Sequence, residues 1–380
     1  MKFYYFHLMP WPHLPDDFDT QYDSAWVDLP NSIYDPERGY GIYNEYIDEL
    51  VAAEGYGWDG VCVNEHHQNA YGTMPSPNII AAMLTQRTKK CQIGIIGNAL
   101  PLHADPLRVA EEIAMLDVIS GGRIISGFVR GTGMEYYSYN VNPTWSRDRF
   151  YEAHDLIIKA WTEPGPFPWV GKHYKHHYVN IWPRPLQKPH PPIWLPGTGS
   201  LETVDYAASK RYPFMMVFSP VEHQRKAYDL YRRLAEEKYG YEATPEQLAF
   251  CVPTYVAETD EIARKEARSA ILWLFHKGLK TGAYGVPPGY ITERSLGAMM
   301  QSGAKGFGDL SYEELIEEGY IIVGSPDTVI EKLNYYVERL HAGIMVSGAS
   351  WGNMPRELVA KNMELFATKV MPALRKQNPS

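Results

Sequence analysis

The sequence predicts an α/β fold, a TIM-type (β/α)8 barrel with long inserted loops. Short apolar runs alternate with amphipathic helical stretches along the whole 380-residue chain, a pattern typical of βα units around a parallel sheet. We count eight such units, the number that closes into a barrel. An open, doubly wound sheet is the alternative, but its Gly-x-Gly-x-x-Gly fingerprint after the first strand is missing.

The predicted strands are short apolar runs that lie between the helical stretches. They are residues 2–8, 60–64, 92–99, 123–129, 193–196, 214–218, 248–256 and 344–347. The predicted helices are residues 42–56, 77–88, 106–119, 147–161, 200–210, 221–238, 260–276, a helix that begins at Ser325, and 355–374. Pro106 and Pro326 suit the first turn of a helix, and Ser325 suits an N-cap.

Three segments are too long to be simple connections: residues 9–40, 164–191 and 277–320. Loops of this length are usually functional or disordered. We expect a small hairpin in segment 164–191. Segment 277–320 contains many glycines, Pro287-Pro288 and Met299-Met300, and we expect a lid over an active site. A surface insertion with no role in chemistry is the alternative. Residues 1–380 are predicted to form one domain.

Composition argues against several classes of protein. The net charge is -9 at pH 7 and no basic stripe is present, which argues against nucleic acid as a partner. The N-terminus lacks the features of a signal peptide, and no apolar run approaches the roughly 18 residues that span a bilayer. Cys62, Cys91 and Cys251 have no metal-site spacing, and we expect reduced, mostly buried thiols. The sequence therefore predicts a soluble, cytoplasmic protein with no membrane partner.

Polar residues follow the second predicted strand, at the end where a barrel places its active site. They are Asn64-Glu65-His66-His67. A histidine there can act as a general base, because its unperturbed pKa is about 6.5. Neighbouring side chains of a strand point to opposite faces, so one histidine is expected to face a ligand. The motif favours His66 and leaves His67 to bond Glu65 or the loop backbone. A purely structural histidine is one alternative. A zinc site is another, although the i,i+4 spacing of a helical metal pair is missing, and we assign no metal ligand.

The third and fourth strands end in residues suited to a flat, anionic ligand. Gly97 and Asn98 lie near the end of strand three, and Gly97 would let the backbone approach a ligand closely. Val129 and Arg130 end strand four. Arg130 emerges where an anion or a polarised carbonyl could bind. An ordinary surface arginine is the alternative.

The fifth strand ends in Gly197-Thr198-Gly199-Ser200, immediately before a helix. Glycines expose backbone N–H groups, Thr198 and Ser200 add hydroxyls, and a helix N-terminus carries a positive dipole. Together these features predict a phosphate-binding turn. The alternative is that Ser200 serves only as an N-cap.

In their order and spacing, these residues resemble the bacterial luciferase-like flavin-dependent monooxygenase family. The matching motifs are Met1-Lys2-Phe3, Glu65-His66-His67, Leu100-Pro101, Gly122-Arg123, Val129-Arg130-Gly131, Val323-Gly324-Ser325-Pro326 and Val370-Met371-Pro372. The resemblance extends from residue 1 to about residue 374.

The resemblance implies FMN, reduced FMN or a deazaflavin at the barrel mouth. It implies that His66 assists peroxyflavin chemistry and that Gly97 lies beside the flavin, where the family often has a non-prolyl cis peptide. Val129 and Arg130 would lie along the isoalloxazine and phosphate side, and Ser200 would contact the phosphate.

A second phosphate-side arginine is also implied, and either Arg147 or Arg149 matches it. The resemblance departs from the luciferases at Gly133, where they have an aromatic residue, and in the long segment 9–40. The family therefore implies a cofactor class, and it does not imply light emission or a long-chain aldehyde substrate.

The implied reaction uses reduced FMN and O2, through a C4a-peroxyflavin, to oxygenate a small apolar or aromatic organic substrate. No nicotinamide fingerprint is visible, so a separate flavin reductase is expected. A homodimer or higher homo-oligomer is also expected. Candidate pocket residues are Phe6, His7, Trp11, Tyr71, Met215, Phe218 and Trp351. The alternatives are a deazaflavin (F420)-dependent dehydrogenase and a non-catalytic flavin-binding protein.

Overall fold

The chain forms a closed barrel of eight parallel strands. The computed structural model describes residues 1–293, 297, 305–348 and 350–378. The strands are β1 (Lys2–Phe6), β2 (Gly60–Val63), β3 (Gln92–Ala99), β4 (Ile124–Val129), β5 (Phe167–Val170), β6 (Lys175–Val179), β7 (Ile193–Gly197), β8 (Phe214–Val217), β9 (Leu248–Cys251), β10 (Thr254–Val256), β11 (Ile322–Gly324) and β12 (Ile344–Ser347). The barrel order is β1-β12-β9-β8-β7-β4-β3-β2, and β1 pairs with β2 to close it. The predicted fold class is confirmed.

Helices surround the barrel and connect successive strands. They are α1 (Phe18–Gln21), α2 (Pro36–Gly55), α3 (Pro77–Arg87), α4 (Pro106–Ser120), α5 (Gly133–Ser138), α6 (Ser146–Thr162), α7 (Leu201–Lys210), α8 (Val221–Arg233), α9 (Asp260–Leu272), α10 (Tyr312–Glu317), α11 (Pro326–Leu340), α12 (Arg356–Leu365) and α13 (Met371–Gln377). Single π-helical stretches follow α8, α9 and α12, at Leu234–Lys238, Trp273–Gly278 and Phe366–Val370.

Several helices begin with a capping residue followed by proline. The Asp105 side chain accepts a hydrogen bond from the Leu107 N–H, and Ser325 accepts one from Thr328. Proline at the next position loses no helical hydrogen bond there. The predicted starts at Pro106 and Ser325 are therefore confirmed.

One predicted strand is divided in the structure. Residues 248–256 were expected to form a single barrel strand, but only β9 lies in the barrel. β10 leaves it and pairs in parallel with β11 outside the barrel, with Thr254 opposite Ile322. Pro253 lies between β9 and β10, and it has no N–H to donate to a continuous ladder. The first strand is also shorter than predicted, ending at Phe6 instead of residue 8.

The inserted segments carry structure of their own. β5 and β6 form the antiparallel hairpin that was predicted within residues 164–191. Residues 9–40 contain α1 and the start of α2, which begins six residues earlier than predicted. Within 277–320, the Met299-Met300 pair lies outside the described residues.

The three cysteines are free and buried, as predicted. Cys62 and Cys251 lie in β2 and β9, inside the apolar core of the barrel. Among the helices that the structure describes, none has both the length and the apolar character needed to cross a bilayer.

Candidate active site

The predicted site residues lie at the C-terminal ends of four strands that are neighbours in the barrel. These strands are β2, β3, β4 and β7. His66 follows β2, Gly97 and Asn98 lie in β3, Val129 ends β4, Arg130 follows it, Gly197 ends β7, and Thr198, Gly199 and Ser200 lead into α7. All of them therefore lie at the end of the barrel that carries active sites in this fold.

His66 is held at the mouth by a carboxylate and two aromatic rings. Its Nδ1 lies 3.1 Å from Glu135 Oε1. The ring meets Trp26 and Tyr71 edge-on, each at a centroid distance of 5.0 Å. Only 13% of the His66 side chain is exposed. The second ring nitrogen has no hydrogen-bond partner among the described residues, and it can therefore serve a ligand.

His67 points away from His66 and is bonded on both ring nitrogens. Its Nε2 lies 2.7 Å from Glu65 Oε1, and its Nδ1 lies 2.8 Å from the Tyr139 hydroxyl. The predicted bond between His67 and Glu65 is thus present. Because both nitrogens are used, His67 has a structural role.

Glu65 is a buried carboxylate that joins the loop after β2 to β3 and to the loop that follows β3. Besides His67, it accepts from Asn98 Nδ2 at 3.1 Å and from His103 Nε2 at 3.2 Å. Burial raises the pKa of the Glu65 carboxyl, but the hydrogen bonds from His103 and His67 outweigh it and lower the pKa to about 2. Burial lowers the pKa of His103, but the bond to Glu65 raises it above its ordinary value. The charged Glu65 carboxylate and the three side chains that donate to it, here called the Glu65 clamp, therefore hold this part of the mouth together.

Gly97 is required by the neighbouring strand. A Cβ at Gly97 would lie 2.4 Å from the backbone carbonyl of Gly127, and a Cβ at Gly127 would lie 2.4 Å from the Ile95 oxygen. The pairing of β3 with β4 shifts register between Ile95 and Asn98, so two glycines allow close approach of the strands at a bulge. The Ile96–Gly97 peptide is cis, as the family resemblance implied. Approach to a ligand is therefore not needed to explain Gly97.

Asn98 and Val129 belong to the walls of the mouth. The Asn98 amide donates to Glu65 and to Asn78, and its Oδ1 is buried without a partner among the described residues. Val129 packs against a small apolar cluster that includes Leu102 and Tyr136. Their contact with a cofactor stays a prediction.

Arg130 has only neutral partners. Its Nη1 donates to Ser146 Oγ and to the Tyr290 carbonyl, both at 3.1 Å. The guanidinium lies 4.5 Å from the centroid of the Tyr290 ring. Across the described part of the chain, no carboxylate forms an ion pair with Arg130. Its charge is therefore available to an anion at the mouth.

The turn after β7 presents the N-terminus of α7. Gly199 has φ +92, a conformation that favours glycine. Ser200 occupies the N-cap position, but its side chain makes no capping bond. Its Oγ instead lies 2.8 Å from Thr203 Oγ1. The first-turn N–H groups are thus not capped by Ser200, contrary to the alternative in which it serves only as an N-cap.

The structure distinguishes Arg147 from Arg149. Arg149 donates to the Pro101 and His103 carbonyls, both at 3.0 Å, and so holds the loop after β3. Arg147 lies 3.6 Å from Glu202, in the first turn of α7. Arg147 therefore lies beside the first turn of α7, and Arg149 lies at the loop after β3; which of them contacts a phosphate stays a prediction.

Residues 278–293, here called the cover segment, lie across the mouth. The Ala25 N–H donates to the Lys280 carbonyl at 3.0 Å, and Trp26 Nε1 donates to the Gly278 carbonyl at 2.8 Å. These bonds join the cover segment to the inserted residues 9–40, directly above His66.

The other end of the cover segment reaches the Arg130 side. The Tyr290 hydroxyl donates to the Gly131 carbonyl at 2.6 Å. Thr292 Oγ1 donates to Glu202 at 3.3 Å. A Cβ at Gly133 would lie 2.3 Å from the Gly285 oxygen, so glycine lets the cover segment pack directly on the loop after β4. The segment therefore spans from His66 to the start of α7.

The opposite half of the mouth is aromatic. Trp351 follows β12, and its ring lies 6.4 Å from Phe6 and 5.9 Å from Phe218 by centroids. All three were predicted as pocket residues. Two other candidates face elsewhere, because His7 bonds Glu49 of α2 at 3.0 Å and Trp11 packs on Tyr34.

The sequence interpretation did not identify Trp26, Glu135, Thr203 or Tyr290. Trp26, Glu135 and Tyr290 contact residues far along the chain, whereas Thr203 lies only three residues from its partner Ser200. No local pattern points to the distant contacts of Trp26 and Tyr290. Glu135 is the exception, because Thr132-x-x-Glu135 has the form of a capping box, and that motif would have placed a carboxylate at the start of α5.

Comparison with known proteins agrees with this geometry. The family model described as luciferase-like monooxygenase matches residues 32–342. The alkanal monooxygenase alpha chain of the Kryptophanaron alfredi symbiont is 25% identical over 346 residues, 88% of this chain and 94% of that protein. The oxygenase component of the flavin-dependent trigonelline monooxygenase of Acinetobacter baylyi is 30% identical over 166 residues, 43% of this chain and 45% of that protein.

Solved structures show the same architecture. The crystal structure of the monooxygenase RslO1 from Streptomyces bottropensis superposes with a TM-score of 0.73 and 25% sequence identity. The match covers 98% of this chain and 99% of that chain.

The Glu65 clamp predicts a specific dependence of stability on pH. A carboxyl whose pKa falls from its ordinary 4.5 to about 2 on folding stabilises the protein above pH 4.5. This contribution is lost as the pH falls from 4.5 towards 2, because only the unfolded chain then takes up the proton. Denaturant titrations should show a difference in unfolding free energy between wild type and Glu65→Gln that narrows over this range. Glu163→Gln, at an exposed position, is the control. A difference that stays constant with pH would contradict the clamp.

Proposed function

The chain belongs to the luciferase-like monooxygenase family, and we propose that it uses reduced FMN and O2 to oxygenate a small apolar or aromatic substrate. The observation that carries the proposal is that the two halves of the barrel mouth differ in chemistry. Arg130 and the Thr198–Ser200 turn occupy one half, an aromatic cluster around Trp351 occupies the other, and His66 lies at β2.

The residues of the first half fit an FMN phosphate. The uncapped start of α7, the Ser200 and Thr203 hydroxyls and the Arg130 guanidinium are donors suited to a phosphate. The start of α6 joins the Arg130 side of this half to α7. Ser146 contacts Arg130, and the next residue, Arg147, contacts Glu202 of α7. Bound flavin supplies the redox chemistry, and the protein supplies position and the exclusion of water.

His66 supplies the acid/base group, and the cover segment limits water at the mouth. His66 Nε2 takes up or releases a proton at the reacting centre, a role that typically contributes about 10²–10⁴-fold to rate. The cover segment and residues 9–40 meet directly above this ring.

A separate reductase supplies the reduced flavin in this proposal. Its support is the absence of a Gly-x-Gly-x-x-Gly fingerprint after the first strand. A relative is itself named as an oxygenase component.

A homodimer is the second part of the proposal. Two neighbouring helices expose large apolar side chains, namely Ile79 and Met83 of α3 and Met115, Val118 and Ile119 of α4, each at 45–60% exposure. Contiguous apolar surface marks interaction sites. A two-fold axis would bury this face against its own copy without any other partner.

Replacing Arg130 with alanine should weaken binding of reduced FMN by roughly 1.5–3 kcal/mol, the range for hydrogen bonds to a charged group. Ser200→Ala should have a smaller effect because the backbone donors remain. Anaerobic equilibrium dialysis would measure both, with Arg108→Ala as a control of equal charge change at an exposed site. Unchanged affinity in Arg130→Ala would contradict the assignment. Retention of F420 in place of FMN by the wild type would favour the dehydrogenase alternative.

His66→Ala should keep its affinity for reduced FMN, because the proposed phosphate site lies at β4 and β7. It should form oxygenated product at least about 10²-fold more slowly, as expected for loss of an acid/base group. Product and oxygen uptake would be measured on small apolar and aromatic compounds that the wild type oxidises. His67→Ala should instead lower the melting temperature, since it breaks the bonds to Glu65 and Tyr139. Normal product formation by His66→Ala would exclude His66 from the chemistry.

Charged side chains placed on the apolar face of α3 and α4 test the proposed homodimer. Met115→Glu combined with Ile119→Glu should give monomers of unchanged helical content, measured by light scattering and circular dichroism. Val170→Glu places a glutamate at an exposed apolar position of the β5–β6 hairpin, away from α3 and α4, and should leave the mass of the assembly unchanged. A monomeric wild type would exclude the homodimer.

A further inference from the structure

Glu135 forms a hydrogen bond with His66 at a position that is almost closed to solvent. The distance from His66 Nδ1 to Glu135 Oε1 is 3.1 Å, and the Glu135 side chain is only 1% exposed. We infer that Glu135 is a positioning residue that fixes the proton of neutral His66 on Nδ1 and so makes Nε2 the atom that accepts a proton. The inference rests on the proposed acid/base function of His66.

The other contacts of Glu135 require it to act as an acceptor. Oε1 also accepts from the His67 N–H at 3.1 Å, and Oε2 accepts from the Thr132 N–H at 2.9 Å. Both oxygens therefore face backbone donors, which suits the ionised carboxylate, a group that only accepts. The hydrogen between His66 and Glu135 then belongs to Nδ1.

Packing and the Glu135 bond together hold the orientation of the imidazole. Trp26 and Tyr71 meet the ring edge-on, and Trp26 is anchored by its bond to Gly278. A Cβ on Gly72 would lie 3.2 Å from His66 Cδ2, so the chain at Gly72 lies close to that edge. A ring turned by 180° would put Cδ2 in place of Nδ1 and lose the Glu135 bond, and the ring would meet these neighbours while it turned.

His66 and His67 differ in whether a ring nitrogen is left without a hydrogen-bond partner. Both ring nitrogens of His67 are bonded within the protein, to Glu65 and to Tyr139. His66 keeps Nε2 without a hydrogen-bond partner in the described part of the chain. A proton taken up at Nε2 creates an imidazolium that Glu135 stabilises, and the proton leaves from the same atom. Glu135, whose side chain is buried, thus acts through His66.

Nuclear magnetic resonance distinguishes the two tautomers of the His66 imidazole directly. Protein labelled with 15N-histidine, free of flavin and at mildly alkaline pH, would give long-range 1H–15N spectra in which loss of a signal set in His66→Ala identifies that ring. We expect a protonated Nδ1 and an unprotonated Nε2 in the wild type. The reverse pattern would overturn the inference, even in a protein with monooxygenase activity. Because flavin is absent, a failure of the proposed function would leave the tautomer result standing.

Variants connect the tautomer to rate. Glu135→Gln should shift His66 towards the tautomer protonated on Nε2 and lower kcat by about 10–100-fold, typical for loss of an orienting partner. The affinity for reduced FMN should stay within about twofold of wild type, while Glu135→Asp should recover part of kcat. Tyr139→Phe removes a bond of His67 and should leave the His66 tautomer and kcat unchanged. A folded Glu135→Gln protein with the wild-type tautomer and kcat would also overturn the inference.

Discussion

Two carboxylates buried at the barrel mouth constrain the loops around it. Glu65 is 3% exposed and Glu135 is 1% exposed. Burying an unpaired charge costs several kcal/mol, so each carboxylate needs donors on every side. Glu65 draws them from His67, Asn98 and His103, and Glu135 draws them from His66, His67 and Thr132. The loops after β2, β3 and β4 are thereby held together by two anionic centres that are themselves nearly free of solvent.

The mouth is built from two kinds of structure, the strand ends of the barrel and the inserted segments that cover them. The β3–β4 contact through Gly97 and Gly127 fixes the floor of the mouth at backbone level. The roof is built from residues 9–40 and the cover segment, which hold each other through Trp26 and Lys280. A site that excludes water can therefore be built from the backbone at the strand ends and from the inserted segments that cover it. The barrel strands themselves need not change.

The barrel and the positions of its active end could be predicted from sequence because both depend on local patterns. Alternating apolar runs, Xaa-Pro helix starts and the polar residues after each strand identify the fold and bring His66, Arg130 and Ser200 to one face. The contacts that give these residues their roles depend on distant parts of the chain. Glu135 lies 69 residues from His66, and Tyr290 lies 160 residues from Arg130. Pro253 is a local signal for the division of β9 from β10, but the pairing of β10 with β11 joins Thr254 to Ile322, and no local pattern indicates that partner.

The bond between Arg130 and the Tyr290 carbonyl has a thermodynamic consequence for the roof. An anion that binds Arg130 meets a guanidinium already engaged with the cover segment, through a hydrogen bond at 3.1 Å and a ring at 4.5 Å. If the cover segment opened, an anion that altered the balance between its open and closed states would have its own affinity altered by an equal free energy, because coupling between two sites is reciprocal. An anion that shares the guanidinium with the Tyr290 carbonyl would favour closure, and one that displaces the carbonyl would favour opening. Arg130 thus joins the proposed anion site to the cover segment through one guanidinium, so a ligand on that guanidinium acts directly on the bond that holds the segment.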